Sequence, residues 1–202
     1  MRIRLGDWRD HHGVQTLRKE TLHSGGGLYE LLTWPVYHVH TAIDGGDRVV
    51  GFTSVALFPD GLADDCGTVV AEDYRERGVA SALRATQVRD LLVMGWAALY
   101  TAVPMGHAGG MACARAHFGD PLGVLEVPGL PPVAYFGGRL ADVQARLTRA
   151  GASEPRPLSP PNTEKLRQKA AAARADLARL AAQGTLTVQK AALRAERVLL
   201  HG

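Results

Sequence analysis

DDCGTVVAEDYRERGVAS, residues Asp64–Ser81, changes its periodicity halfway through. Up to Val70 it carries the β-branched residues of a strand. A polar loop follows, and Gly78 opens an Ala/Leu-rich run to Met94. In that run Val79, Ala82 and Leu83, then Val88, Leu91 and Leu92, recur at i, i+3, i+4, which predicts a helix with one apolar face. The first N–H groups of a helix have no internal partner and together carry about half a positive charge. Arg75 and Arg77 stand beside that first turn. Gly78 and Ala80 are small, so an anion's oxygens can come close to the main chain. This is a phosphate-binding arrangement. It is neither a Gly-Lys-Ser/Thr loop nor a G-x-G-x-x-G turn.

Downstream, Ala97–Val103 reads as a buried strand. Strand, helix and strand in this order predict a βαβ crossover with parallel pairing. Upstream, Arg2–Leu5 is a short strand and Asp7–Leu22 a helix, broken by Ser24–Gly27. Leu28–Thr33 reads as a second short helix, stopped before Pro35. Val36–Ile43 alternates as a strand, with Tyr37, Val39, Thr41 and Ile43 on one face. Turns at Asp44–Asp47 and Pro59–Gly61 flank the strand Val49–Phe58, and Asp64–Val70 completes an antiparallel meander. After the crossover come a helix over Met105–Phe118, weakened by Gly106, Gly109 and Gly110, strands at Gly123–Val127 and Val133–Phe136, and a helix over Leu140–Ala150. The fold class is mixed α/β (α+β), with a mostly antiparallel sheet and a central βαβ crossover.

The whole chain has 202 residues, 46% apolar and 21% charged, which fits a globular protein and excludes global disorder. The longest near-apolar run, Leu91–Val103, is too short to span a bilayer. Two cysteines, Cys66 and Cys113, exclude a disulfide-dense scaffold. With no apolar leader at Met1–Asp7, they lead to the expectation of a cytoplasmic protein. Charge divides the chain: residues 1–150 hold 14 Lys/Arg and 16 Asp/Glu, whereas residues 151–202 hold 9 and 4. The break falls at residues 151–162, where four prolines mark a stiff linker. Beyond it, Leu166, Ala170, Ala173, Leu177 and Leu180 form a heptad-like seam, and Val188, Ala192, Ala195 and Leu199 repeat the step after Gly184-Thr185. Residues 163–202 are therefore expected to form a basic αα-hairpin. It would pack on the main domain or on a second copy as a homodimer, and its charge suits nucleic acid as well as plain solvation.

Arg75-Glu76-Arg77-Gly78-Val79-Ala80 resembles the Arg/Gln-x-x-Gly-x-Gly/Ala signature of the GNAT acyltransferase superfamily. Val70, Tyr74 and Arg75 also match the wider V-x-P-x-Y-R-x-x-G-x-G pattern, with Glu72 at the proline and Ala80 at the second glycine. The order of elements fits from residue 1 to about residue 150. The resemblance implies a GNAT fold and acetyl-CoA as co-substrate, held in a V-shaped opening between the strands ending at Val70 and at Val103. Its pyrophosphate would rest on the amides of Arg77, Gly78, Val79, Ala80 and Ser81, beside Arg75. Its pantetheine arm would pair with Thr68, Val69 and Val70. The implied activity is N-acetyl transfer to a primary amine by direct attack in a ternary complex.

That reaction needs a neutral amine. A lysine-like amine has a pKa of about 10.4, so deprotonating it at pH 7 costs roughly 4.6 kcal/mol. A carboxylate or imidazole can take the proton, and a main-chain N–H near Val69 or Val70 can polarise the acetyl carbonyl. Some family members carry a base at about the place of Asp64, which makes Asp64 the first candidate and Asp65 the second. Neighbours on a strand point to opposite faces, so only one can face the substrate. At the position of the family's usual acid, a tyrosine, the chain has Arg115, which leaves His107, His117 and Tyr100 as substitutes. His38 and His40 share a strand face at a metal-binding spacing, but no third ligand is visible, so no metal is assigned. Asp44, Asp47, Asp60, Asp64 and Asp65 give an acidic lean suited to a cationic amine. The competing reading is a catalytically weak or inert module of that fold whose basic hairpin binds nucleic acid or mediates assembly.

Overall fold

In the chain, a computed structural model describes residues 1–22, 36–126, 128–129, 131–149 and 163–183. Its strands are β1 (Arg2–Leu5), β2 (Tyr37–Ile43), β3 (Val49–Leu57), β4 (Leu62–Val70), β5 (Ala98–Pro104), β6 (Gly123–Leu125) and β7 (Val133–Arg139). They form one sheet in the order β1-β2-β3-β4-β5-β7-β6. Every pairing is antiparallel except β4 with β5. The helices are α1 (His11–Leu22), α2 (Val79–Val93), α3 (Ala108–Phe118), α4 (Leu140–Arg149) and α5 (Thr163–Ala182). The expected βαβ crossover is β4–α2–β5. The expected second helix at Leu28–Thr33, the loop Ser24–Gly27, the linker 151–162 and the second helix of the hairpin lie outside the described residues.

Alternation along the strands sends successive side chains to opposite faces. His38 and His40 of β2, Thr53 and Val55 of β3 and Asp65 and Thr68 of β4 lie on the face that packs against α2, while Val50, Phe52 and Val69 lie with Val14 and Leu17 of α1. Both faces of β2 are covered, and six of its seven residues are buried.

The amphipathic reading of α2 needs correction. Beside the expected Val79, Leu83, Val88 and Leu91, it also buries Arg84, Thr86, Gln87 and Asp90. Arg84, Gln87 and Asp90 meet Asp65 and Thr68 of β4, Thr53 of β3 and His40 of β2. The seam residues Leu166, Ala170, Ala173 and Leu177 join Leu91, Trp96 and Leu147 in one core cluster, so α2 is covered on its far side too. Arg174 of α5 donates to the Met94 carbonyl at 2.7 Å and lies 4.9 Å over the Trp96 ring. Burying a leucine contributes roughly 1.5–3 kcal/mol, so Leu166 and Leu177 bind α5 firmly to the domain. The seam is occupied by the chain's own core.

At the centre of the sheet the strands part. The parallel ladder runs from Leu62↔Ala98 to Asp65↔Thr101 and stops, while β4 continues to Val70 and β5 to Pro104. A register shift opposite Ser54/Val55 leaves Cys66 without a partner on β3, and Gly67 has φ +115°. This bulge raises the local twist and turns the last stretch of β4 away from β5.

Candidate active site

The turn after β4 is built around its main chain. Glu76 and Gly78 both have left-handed φ, +60° and +76°, with Arg77 between them. Such a curl aims successive N–H groups into one concavity. Helix α2 begins at Val79, and the first intrahelical bond is Ala82 N–H to the Gly78 carbonyl at 2.9 Å. No side chain caps this end. The amides of Val79, Ala80 and Ser81 therefore have no acceptor within the helix. A Cβ at Gly78 would meet nothing within 4 Å, so the glycine answers a backbone need rather than a crowded one. Arg75 and Arg77 are exposed; Arg77 lies 5.4 Å over the Tyr74 ring, and Arg75 reaches the Val70 carbonyl at 3.4 Å.

Beside this turn lies the free edge of β4. Ala71 N–H bonds the Val50 carbonyl, which fixes the alternation of the antiparallel ladder. Val69 and Gly67 turn their backbone groups to β3. Thr68 and Val70 turn theirs toward the gap, past the point where β5 departs. Val69 itself is buried against α1.

Asp64 and Asp65 point to opposite faces, as alternation requires. Asp65 lies under α2: its carboxylate accepts from Arg84 Nη2 at 2.5 Å, Thr101 Oγ1 at 3.0 Å and Gly67 N–H at 3.0 Å. Both charged side chains of that ion pair are about 95% buried (4% and 5% exposed). Arg84 also bonds Gln87 Oε1 and Thr68 Oγ1, and Gln87 and Thr68 both bond the Thr53 hydroxyl. This network lies where β4 and β5 diverge. Asp64 is half-buried on the α1 face, opposite Tyr100 across the parallel ladder.

His107 is exposed and caps α3, its Nδ1 accepting from Gly110 N–H at 2.8 Å. A Cβ at Gly110 would lie 2.3 Å from that Nδ1, so the glycine that weakens the helix start in the sequence is what admits the cap. Accepting at Nδ1 places the neutral ring's proton on Nε2. His117 lies inside, with Nε2 3.2 Å from Ser81 Oγ and Nδ1 3.5 Å from Cys113 Sγ. Burial, then the Arg84 charge, pulls its pKa down to about 4. It is neutral at pH 7 and steadies the first turn of α2. The Ser81 contact escapes sequence reasoning, although Cys113 and His117 stand four apart on one helix face. Arg115 is exposed. Desolvation, then Asp64 and Asp65, pushes the Cys66 thiol up to about 12, and burial raises that of Cys113.

A cavity of about 550 Å³ opens on the α1 side of the turn, with Glu20, Arg48, Glu72, Asp73 and Arg75 in its wall. Arg48 is paired with Asp73 at 3.0 Å. Several acids of the expected acidic lean have local partners: Asp44 accepts from Gly46 N–H, Arg48 N–H and Tyr74 Oη, Asp47 pairs with Arg2, and Asp65 pairs with Arg84. The two backbone hydrogen bonds hold the Asp44 carboxyl below its ordinary pKa.

No family model matches the chain, and no curated protein matches it in sequence. Solved structures do match in fold. A GNAT-superfamily phosphinothricin acetyltransferase from Sinorhizobium meliloti, solved with acetyl-CoA, aligns at TM-score 0.59 and 16% identity, covering 68% of this chain and 86% of that one. Arabidopsis thaliana NAA60, solved with acetyl-CoA, aligns at 0.60 and 14%, covering 69% and 98%. The ribosomal-protein-S18-alanine N-acetyltransferase of Escherichia coli aligns at 0.56 and 15%, covering 68% and 92%. The fold is the GNAT fold. At these identities the likeness is one of architecture.

Proposed function

We propose that the chain is an acetyl-CoA-dependent N-acetyltransferase that transfers an acetyl group to a primary amine by direct attack within a ternary complex. The observation that carries this reading is the parting of β4 and β5 beside the uncapped N-terminus of α2. The Val79, Ala80 and Ser81 amides, with the curl at Arg77 and Gly78, bind the diphosphate, and Arg75 and Arg77 supply positive charge around it. Thr68 and Val70 offer strand-like hydrogen bonds to the pantetheine arm. Acetyl-CoA brings the activated thioester. The Val70 N–H polarises its carbonyl.

Asp64 takes the amine proton, directly or through one water. The C–N bond forms as the C–S bond breaks. A thiol pKa of about 8.5 lets the thiolate leave without an enzymic acid, consistent with Arg115 where a tyrosine is usual. Asp65 holds the opening apart and stays out of the chemistry. The phosphinothricin and ribosomal-protein enzymes among the structural neighbours span small and macromolecular acceptors, so the proposal names the acceptor only as an amine.

Calorimetry with acetyl-CoA tests the diphosphate cradle. The wild-type protein binds, and Gly78→Glu, which sets a carboxylate at the anion's position, loses at least about a hundredfold in affinity. Equal binding by both proteins would refute the assignment. A thiol-release assay across polyamines, aminoglycosides, peptides and tRNA then identifies the acceptor. With that acceptor, Asp64→Asn should lower kcat by roughly 10²-fold or more.

A further inference from the structure

The β2 histidines and one carboxylate of α2 form a second cluster that the acyl-transfer reading does not use. His38 and His40 are two apart on a strand, so both rings point to the same face. That face meets α2 at Asp90. One ligating atom from each of the three residues lies within 4.8 Å of the others, and all three residues are buried. His40 Nε2 stands 2.9 Å from Asp90 Oδ2, and His38 Nε2 stands 3.9 Å from the same oxygen. The rings meet edge to face at 4.7 Å.

His38 has 0% exposure, and among the described residues neither of its ring nitrogens has a hydrogen-bond partner. A buried polar atom left bare costs about 1–3 kcal/mol and calls for an explanation. Asp90 shows the complementary half of the pattern. Arg89 donates to its Oδ1 at 3.0 and 2.8 Å, which fixes the carboxylate and leaves Oδ2 facing the two imidazoles. Hydrogen bonding of the outer oxygen is how ligating carboxylates are commonly oriented.

We propose that His38, His40 and Asp90 bind a divalent transition-metal ion of the zinc class. Two imidazoles and one carboxylate are the donor set such ions take, whereas magnesium and calcium select all-oxygen sites. Tetrahedral ligands at bonds of about 2.0–2.1 Å sit roughly 3.3 Å apart. The separations of 2.9 and 3.9 Å bracket that value, so sub-ångström adjustments suffice for those two edges. The ion would give His38 the partner it lacks and would tie β2 to the middle of α2. It lies on the α2 face of the sheet, away from the exposed turn at Arg75–Gly78, and the proposal does not depend on acetyl-CoA chemistry.

The test uses the full chain, free of any tag, stripped with a chelator and titrated with Zn²⁺. Calorimetry should give about one ion per chain, and Co²⁺ in its place should give the visible absorption bands of a four-coordinate nitrogen–oxygen site. At a hundredfold excess over Kd, Zn²⁺ should raise Tm by roughly 5–10 °C. His38→Gln and Asp90→Asn should lose the stoichiometric ion and the Tm shift while still melting cooperatively. A stripped wild-type protein that takes up no ion overturns the proposal, as does an ion that both variants retain. If the variants fail to fold, the cobalt spectrum of the wild type decides: no ligand-field bands overturns the site.

Discussion

Two polar clusters lie under the same helix, on the same face of the same sheet, and they differ in how completely they are paired. Under the first half of α2, the Asp65 carboxylate has three donors and Arg84 has three acceptors, Thr53, Thr68, Gln87 and Thr101 complete the network, and Arg84 Nε alone of its polar atoms is bare among the described residues. Under the second half, three ring nitrogens of His38 and His40 are bare among the described residues. Buried polar groups are normally satisfied, because leaving one bare in a low-dielectric interior is costly. A network paired at all but one nitrogen is internal architecture, set at the point where β4 and β5 part. A cluster left largely bare points to something outside the chain. The same comparison separates the two carboxylates of β4. Asp65 belongs to the paired network, and Asp64 lies on the opposite face, where the proposed chemistry needs a base.

The largest effect expected from this contrast is at Arg84. Arg84→Met leaves Asp65 buried without its cation, which should cost about 3–5 kcal/mol, or roughly 6–20 °C of Tm for a domain of this size. Adding Asp65→Leu should recover part of that loss, because a matched apolar pair avoids the uncompensated charge. Chemical denaturation of the single and double variants measures both. If Arg84→Met melts within a degree of wild type, the network is not a brace.

Much of this molecule is legible in its sequence, and the illegible part has one cause. Strand alternation and the shift to a 3.6-residue period at Gly78 give the meander, the crossover and the turn that opens α2, because those signals are local. Ends are less sharp: β6 closes at Leu125, two residues before its expected end, and Asp7 caps a short 3₁₀ turn at Trp8–Asp10 before α1 begins. Both internal clusters stay hidden, because each joins residues far apart in the chain. Arg84, Gln87 and Asp90 look like the solvent face of an amphipathic helix until the sheet brings Asp65 and Thr68 of β4, Thr53 of β3 and His40 of β2 beneath them. In the same way, His38 and His40 show a metal-like spacing, while the carboxylate that completes the set stands fifty residues beyond His40.

A third buried imidazole sharpens the contrast through pH. His117 has partners, Ser81 and Cys113, and is held neutral, with a folded pKa of about 4. Unfolded, it takes a proton near pH 6.5; folded, it does not until about pH 4. The stability this group contributes is complete above pH 6.5 and falls as pH drops through that window, by up to about 3 kcal/mol. His117→Gln should flatten that part of the wild-type stability–pH curve. Parallel curves for the two proteins would mean that the ring is not held neutral by its site.

The smallest expected effect tests how much redundancy the paired network carries. Thr101 reaches Asp65 from β5, across the last rung of the parallel ladder, so it is the one side-chain tie from that strand to the carboxylate among the described residues. Thr101→Val keeps the shape and removes the donor. Two donors to Asp65 remain, so the loss should sit at the low end for a hydrogen bond to a charged group, about 1.5 kcal/mol. If the tie also sets the angle at which β5 leaves β4, acetyl-CoA affinity should fall by more than the change in Tm explains. An unchanged affinity would mean that the bulge at Cys66 holds the opening without help from Thr101.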